Sequence, residues 1–187
     1  LGHQITLYNR SMSKLEGAIK DRGITLHEAI NRFGEIYKFT DRIDEALDGN
    51  EIVMVATTAD AHAEIARQMK PYLQDEQLIV LNPGRTGGAI EFRHVLHSGG
   101  FRKKIFLAEA QSLIYACRII EPGHVRIIGV KDRVLLASLP STDIELIASK
   151  LNDIYPCFIP VQNVLVTGLE NIGAIFHPAI VLFNAAA

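Results

Sequence analysis

Apolar and polar positions along the chain fall into short blocks of two kinds. Three runs are apolar apart from a charged first residue in two of them, as expected for strands buried on both faces of a sheet: Glu51–Ala56, Leu78–Leu81 and Lys104–Ala108. Between them, Ala61–Met69 and Ala89–His97 show the three-to-four-residue period of amphipathic helices. Strand alternating with helix at this spacing predicts a parallel sheet with helices on both faces, which is a doubly wound α/β fold.

The segment before this block has weaker patterns. It is predicted to hold, in order, a strand at Gln4–Tyr8, a helix ending near Arg22, an ambiguous stretch at Gly23–Glu35 interpreted as a short helix, a strand at Ile36–Phe39, and a brief helix ending at Gly49. Capping by serine, threonine or aspartate is expected at the start of both clear helices.

In the second half of the chain, strands no longer alternate regularly with helices. Val125–Val130 and Arg133–Leu139 are predicted to pair as a hairpin, and an amphipathic helix follows at Asp143–Ile154. A short strand lies between two prolines, and Asn163–Ala187 is predicted to be one long, mostly apolar helix. We place a domain boundary near Gln162, so that residues 1–162 form a Rossmann-type domain and residues 163–187 begin an all-helical domain.

The long helix carries a polar pattern. Four polar residues recur every seven positions and would share one face of an unbroken helix: Asn163, Glu170, His177 and Asn184. A polar seam on an apolar helix indicates a cleft or an interface, and a solvated outer side is the alternative. Both ends of the sequence resemble interrupted helices, so the chain is expected to be truncated at both ends, without its first strand and glycine-rich turn.

Composition narrows the class of protein. Apolar residues make up 48% and charged residues 21% of the chain, with a net charge of −2. No basic excess indicates nucleic-acid binding, and no apolar run reaches the roughly 18 residues of a membrane span. The cysteines, Cys117 and Cys157, and the seven histidines lack metal-ligand spacing, so no metal is expected. Free thiols and no visible signal peptide predict a cytoplasmic location.

Polar and small residues follow the predicted strands on the edge where α/β folds bind ligands. Ala56 and Thr57 end one strand, and Asn82, Pro83 and Gly84 end the next. Gly87 then precedes a helix start, where exposed N–H groups favour an anion or a carbonyl oxygen. A tight turn that merely needs small residues is the alternative interpretation of this stretch.

The end of the first strand bears on cofactor choice. In dinucleotide-binding folds, an acidic residue at the end of the second strand takes the ribose hydroxyls of NAD, and a basic residue there takes the 2′-phosphate of NADP. Because the fold's first strand is expected to precede this chain, the strand at Gln4–Tyr8 corresponds to that second strand. It is followed by Asn9-Arg10-Ser11, which offers a guanidinium flanked by polar side chains and no carboxylate. This predicts NADP as the cofactor, with NAD as the alternative.

Three motifs together resemble the octopine/nopaline (opine) dehydrogenase family. They are Leu81–Phe92 (LNPGRTGGAIEF), Ala108–Arg118 (AEAQSLIYACR) and Asn171–Pro178 (NIGAIFHP), in the family's order over nearly the whole chain. The resemblance implies an N-terminal NAD(P) domain, a helical C-terminal domain, and reductive condensation of an amino acid with a 2-keto acid.

The resemblance also implies roles for individual residues. His177 corresponds to the family's catalytic histidine, and the stretch from Asn82 to the following glycines matches the loop beside the nicotinamide. Three residues are assigned to substrate: Glu109, Cys117 and Asn171. The chain departs from the family's pattern at Ala110, Gly168 and Glu170, which leaves the substrate open. The family's aspartate partner of the histidine belongs to the C-terminal domain.

The chemistry suits these residues. Imine reduction needs hydride from a nicotinamide and a group that exchanges a proton near neutral pH, which a histidine does well. We therefore interpret the chain as part of an NADP-dependent opine-type dehydrogenase with small-molecule partners, and a homodimer is left open. The alternatives are a related 2-keto or 3-hydroxy acid reductase, which often uses a lysine that the last helix lacks, and a non-catalytic NADP-binding redox sensor.

Overall fold

The computed structural model describes residues 2–170 and 172–185. Within this part of the chain, the strands are β1 (Thr6–Tyr8), β2 (Gly23–Glu28), β3 (Arg32–Glu35), β4 (Lys38–Thr40), β5 (Ile52–Val55), β6 (Leu78–Leu81), β7 (Phe106–Ala110), β8 (Tyr115–Glu121), β9 (His124–Val130), β10 (Val134–Ser138) and β11 (Phe158–Pro160). The α-helices are α1 (Glu16–Asp21), α2 (Ile43–Leu47), α3 (His62–Met69), α4 (Gly88–His97), α5 (Ile144–Ile154), α6 (Val164–Leu169) and α7 (Ile172–Asn184).

A five-stranded sheet in the order β11-β10-β7-β6-β5 forms the centre of the molecule. Strands β5, β6 and β7 are parallel, whereas β10 runs antiparallel to β7. All four residues of β6 are buried, which explains why this strand has no polar position. Helices α3 and α4 pack on one face around Phe92 and Met69, and α5 packs on the other face around Ile147. The predicted doubly wound α/β fold is confirmed.

Strands β1 and β4 form a separate parallel pair. A cavity of about 490 Å³ lies between this pair and the central sheet, lined by Gln4–Asn9 on one side and by Ile52–Thr57 on the other. In the part of the chain that the structure describes, β1 pairs only with β4 and β5 pairs only with β6. The facing edges of β1 and β5 therefore border an elongated gap in what would otherwise be one continuous sheet.

A four-stranded sheet in the order β3-β2-β9-β8 was not predicted. The interpretation of Gly23–Glu35 as a short helix is wrong, because this segment forms β2 and β3. Strand β2 pairs in parallel with β9, about a hundred positions later in the chain. Strand β2 also pairs antiparallel with β3, and Gly23 is needed there, since a Cβ atom would lie 2.3 Å from Cζ of Phe33 on β3.

The predicted hairpin of Val125–Val130 with Arg133–Leu139 is also wrong. Strand β9 pairs with β8 and β2, whereas β10 joins the central sheet between β7 and β11. The intervening Lys131-Asp132-Arg133 carries the chain from one sheet to the other. Short apolar strands that follow one another need not pair when each finds a better-buried neighbour elsewhere.

The long helix predicted over Asn163–Ala187 is broken. Asn163 caps α6 by accepting a hydrogen bond from the Leu165 N–H at 3.0 Å, and α6 ends at Leu169. Glu170 forms a turn before α7 begins, so the predicted seven-residue seam does not lie on one continuous helix face. Val164 of α6 is part of the core of the central sheet. The division of the chain into domains near Gln162 stays a prediction.

Candidate functional site

The carboxyl ends of β5, β6 and β7 lie side by side at one edge of the central sheet. Val55 is in register with Leu81, and Leu81 with Glu109, so the residues that follow each strand come close together. We call Asn82–Gly87, which connects β6 to α4, the glycine loop. The Gly84 N–H donates to the Ala110 carbonyl at 2.9 Å, which fixes the loop against β7.

The glycine loop turns sharply into α4. Arg85 and Gly87 have positive φ values of 60° and 74°, and the left-handed conformation at Gly87 is one that glycine adopts at little cost. Gly88 opens the helix against His62, since a Cβ atom there would lie 3.1 Å from His62 Nδ1. The helix therefore starts with its first N–H groups directed at the sheet edge, the arrangement that favours anions and carbonyl oxygens.

Glu109 is fully buried behind this loop. Its Oε2 accepts a hydrogen bond from the Ala89 N–H at 2.8 Å, and its Oε1 lies 2.5 Å from the Thr167 hydroxyl. Burial raises the pKa of Glu109 above its ordinary value, and the bonds from Thr167 and Ala89 oppose that rise. The sequence assigned Glu109 to the substrate pocket. Among the described residues both carboxylate oxygens are used on protein partners and none of the side chain is exposed. The assignment of Glu109 to the substrate pocket stays a prediction.

Gly84 lies against this carboxylate. A Cβ atom at Gly84 would be 2.4 Å from Glu109 Cβ and 2.7 Å from its Oε2, so the position has no room for a side chain. The glycine predicted to serve the cofactor thus has a further structural role. It allows the loop backbone to approach β7 closely.

Four buried polar atoms at this edge have no hydrogen-bond partner among the described residues. They are Thr57 Oγ1, Asn82 Oδ1 and both ring nitrogens of His62. Buried polar atoms are nearly always paired with protein, water or ligand, so their grouping at the ends of β5 and β6 marks a ligand-binding edge. Thr57 and Asn82 were both predicted as cofactor residues.

No site role was predicted for His62, so its position beside the start of α4 was missed. It is completely buried at the start of α3. Burial lowers its pKa, against smaller opposing effects of Glu91 and Asp60, so burial favours the neutral ring. The available signal was its place in the first helical turn after a strand that ends at the ligand edge.

Asn9, Arg10 and Ser11 follow β1. Asn9 Oδ1 accepts a hydrogen bond from the Ser11 N–H at 3.0 Å, which makes a compact turn, and Arg10 is exposed. Arg10 makes no ion pair within 4.0 Å in the described ranges. Asn9 and Thr57 line the same cavity, so the turn after β1 and the turn after β5 lie close together. A hydrogen bond from Thr58 is the main cause that lowers the pKa of Asp60 in the second of these turns. Ala56 is exposed at that edge.

Helix α6 is tied to the glycine loop and to the segment after β7. Besides the Thr167 contact with Glu109, the Thr86 hydroxyl donates to the Gly168 carbonyl at 3.3 Å. Gln111 Nε2 donates to the Glu170 carbonyl at 2.8 Å. Every polar contact in this set joins α6, or the turn after it, to a residue within or beside the candidate site.

Three further residues were predicted for the site: Cys117, His177 and Asn171. Cys117 is half-buried on β8 in the four-stranded sheet, in register with Ile127. His177 is exposed on α7. Asn171 lies outside the described residues. No group of three or more metal-ligating side chains occurs among the residues that the structure describes, and none of the described helices has the length and apolar character needed to span a membrane.

Replacing Glu109 with glutamine is expected to change how stability depends on pH. Because the folded-state pKa of Glu109 is raised, its contribution to stability is complete below the unfolded value, about 4.3, and is lost as pH rises through the folded pKa. Glu109→Gln cannot ionise at this position. As pH rises, its free energy of unfolding should therefore increase relative to that of the unmodified protein. Denaturant unfolding between pH 4 and 8 measures this difference. Glu145→Gln, at an exposed glutamate of α5, is the control. Identical pH slopes for Glu109→Gln and the unmodified protein would contradict it.

Comparison with known proteins supports the resemblance seen in the motifs. No protein-family model matches the chain. An opine dehydrogenase of Arthrobacter sp. (strain 1C) is 34% identical over 170 residues, which cover 90% of this chain and 47% of that protein. An octopine dehydrogenase of Pecten maximus is 36% identical over 95 residues, covering 50% of this chain and 23% of that protein. The chain thus spans about half the length or less of these relatives.

Solved structures match over almost the whole chain. Octopine dehydrogenase with NADH and L-arginine has a TM-score of 0.76 at 22% identity, covering 96% of this chain and 47% of its own. Yersinopine dehydrogenase with NADP+ has a TM-score of 0.74 at 19% identity, covering 96% and 46%. A 2-dehydropantoate 2-reductase from Methylococcus capsulatus reaches 0.72 at 17%, covering 98% and 58%. These matches confirm the Rossmann-type fold, and the sequence relatives confirm the resemblance to the opine dehydrogenase family.

Proposed function

We propose that the full-length protein is an NAD(P)-dependent oxidoreductase of the opine dehydrogenase type, acting on CH–NH groups. It would condense an amino acid with a 2-keto acid, or carry out the reverse oxidation. The observation that carries this proposal is the set of unpartnered buried polar atoms of Thr57, His62 and Asn82 at the ends of β5 and β6. Sequence similarity to opine dehydrogenases over 90% of the chain supports the choice of reaction.

These residues fit a nicotinamide dinucleotide. The proposed cofactor residues are Asn9, Arg10, Ser11, Ala56, Thr57, Asn82, Pro83, Gly84 and Gly87. When bound, the cofactor supplies or accepts the hydride. The chain's own residues would hold it. The turn after β1 would bind the phosphorylated ribose, and the glycine loop with the start of α4 would bind the nicotinamide end.

We propose that a further strand of the full-length polypeptide fills the cavity between β1 and β5. The cavity is elongated, and a strand edge borders each long side. A parallel strand there would pair with both edges and would end beside Asn9 and Thr57. The turn after it would then lie where a dinucleotide's phosphates need backbone N–H groups. Residues 1–162 would be the cofactor domain and residues 163–187 the start of a helical domain.

His177 is the proposed acid–base group. It lies on α7, the helix that follows α6, and α6 contacts Glu109 behind the glycine loop through Thr167. In the condensing direction it would donate a proton to the reacting nitrogen or oxygen, and in the oxidising direction it would accept one. The substrate assignments of Cys117 and Asn171 remain part of this proposal, whereas Glu109 is proposed to act from behind the loop.

Arg10 is proposed to give a preference for NADPH. Replacing it with aspartate removes a charge-assisted contact with the 2′-phosphate and adds repulsion, so the ratio of kcat/KM for NADPH to that for NADH should fall about 10- to 100-fold. Steady-state kinetics of the full-length protein with both cofactors measure this, and Arg102→Asp, at another exposed arginine, is the control. Equal kcat/KM for NADPH and NADH in the unmodified protein would refute the preference.

The proposed function is tested by hydride transfer. NADPH oxidation by the full-length protein is expected only when an amino acid and a 2-keto acid are both present. Oxidation with a keto acid alone would favour the related keto acid reductases, whose fold matches at a TM-score of 0.72. Tight NADPH binding without oxidation under any substrate pair would favour a redox sensor and would overturn the enzymatic proposal.

A further inference from the structure

We propose that Glu109 is a positioning residue that couples the place of helix α6 to the place of the glycine loop. The inference rests on the proposed function for its kinetic consequences, but its structural basis is independent of any cofactor. It differs from the role that the motif resemblance implied, because it assigns the carboxylate to protein partners and not to substrate.

Three elements meet on the Glu109 side chain. Oε2 accepts the Ala89 N–H at the start of α4, Oε1 contacts the Thr167 hydroxyl of α6, and Gly84 of the glycine loop leaves no space beside the Cβ and Oε2 atoms. Both Glu109 and Thr167 are at most 1% exposed. Water therefore cannot replace either partner unless the elements separate, so a movement of α6 alters the restraints on the loop.

Backbone packing reinforces this coupling. A Cβ atom at Gly168 would lie 3.4 Å from the Gly87 nitrogen and 3.7 Å from the Arg85 carbonyl oxygen, so α6 rests on the loop backbone without an intervening side chain. The Thr86 hydroxyl bond to the Gly168 carbonyl lies at the same contact. Helix α6 and the loop thus face each other through backbone atoms and are joined by this hydrogen bond.

The hydrogen atoms in this cluster can be counted. Thr167 has one hydroxyl hydrogen, while its Oγ1 lies 2.5 Å from Glu109 Oε1 and 3.0 Å from the Val164 carbonyl. If Glu109 carries a proton, it donates to Thr167 and Thr167 donates to Val164. If Glu109 is ionised, Thr167 donates to the carboxylate instead. The Ala89 bond persists in both states, and so does the link between α4 and α6.

This count defines the informative substitutions. In Glu109→Gln the amide carbonyl accepts from Ala89 and the NH₂ group donates to Thr167, which then donates to Val164. A positioning role therefore tolerates glutamine, whereas a role that needs negative charge against a substrate does not. Glu109→Ala loses both bonds, Thr167→Val and Thr167→Ala lose one, and Thr167→Ser keeps the hydroxyl.

Amide hydrogen exchange at Ala89 in the full-length protein is the direct test. The described hydrogen bonds of Thr167 are with Glu109 and Val164 and not with Ala89, so faster exchange at Ala89 after Thr167→Val reports transmission through Glu109. The expected increase is about 10- to 100-fold, the equivalent of one buried hydrogen bond to a charged group. Thr167→Ala gives the same readout if the valine variant folds poorly. Thr40→Val is the matched control, because Thr40 is also buried and its hydroxyl donates to Glu45 at 3.0 Å. Thr40 is distant from Ala89 in the sequence.

Kinetics give the second readout. Thr167→Ala and Glu109→Ala should lower kcat at least about tenfold, while Glu109→Gln and Thr167→Ser keep kcat near that of the unmodified protein. Unchanged Ala89 exchange in both Thr167→Val and Thr167→Ala, or loss of kcat in Glu109→Gln equal to that in Glu109→Ala, would overturn the coupling. If the unmodified protein transfers no hydride, the proposed function fails, and Ala89 exchange alone still decides the coupling.

Discussion

Replacing His177 with alanine is expected to lower kcat of the full-length protein by about 10²- to 10⁴-fold, the usual contribution of a positioned acid–base group. The side chain is exposed on α7, so its removal leaves no cavity in the described core. Binding of NADPH should change little, because the proposed cofactor residues lie on the turns after β1, β5 and β6. A large loss of kcat with cofactor affinity preserved is the pattern expected of a chemical role.

The pH–rate profile separates this role from a general effect. The unmodified protein should show a limb in the neutral range, where histidine titrates, and His177→Ala should lack it. His97→Ala, at another exposed histidine near the end of α4, is the control and should keep the limb. A kcat within a few-fold of normal in His177→Ala would remove His177 from the mechanism.

Gly84→Ala is expected to destabilise the protein and to disturb the glycine loop together. The added methyl group would lie 2.4 Å from Glu109 Cβ and 2.7 Å from Oε2, distances that force a backbone shift. Overpacking of this kind costs about 1–3 kcal/mol. Because the Gly84 N–H also holds the loop to the Ala110 carbonyl, the shift should weaken that bond and the proposed nicotinamide contact.

Gly129→Ala on β9 is the matched control, since a Cβ atom there meets nothing within 4 Å. Denaturant unfolding and NADPH affinity should both be close to normal in Gly129→Ala and both be reduced in Gly84→Ala. Normal stability and affinity in Gly84→Ala would mean that the loop can move away from Glu109 without cost. That result would also weaken the proposed coupling between α6 and the loop.

Local patterns determined the central sheet and one edge of the site. The strands β5 and β6 are runs of adjacent apolar residues, and in β7 only Glu109 interrupts such a run. Helices α3 and α4 carry their own period, so the doubly wound fold was predictable from short windows. The turn residues Thr57 and Asn82 could be placed because parallel strands end at the same side of a sheet. Their unpartnered polar atoms at that edge agree with this reasoning.

Tertiary structure decided the features that depend on partners distant in sequence. Strand β2 pairs with the distant β9 as well as with the adjacent β3, and β10 pairs with β7 and β11 in the central sheet and not with its neighbour β9. The break between α6 and α7 and the burial of Glu109 and His62 follow from packing against the glycine loop. The pattern of apolar residues in a segment predicts which of its positions are buried. It does not predict which atoms a buried carboxylate or imidazole contacts, because those belong to segments that are distant in sequence and adjacent only in the fold.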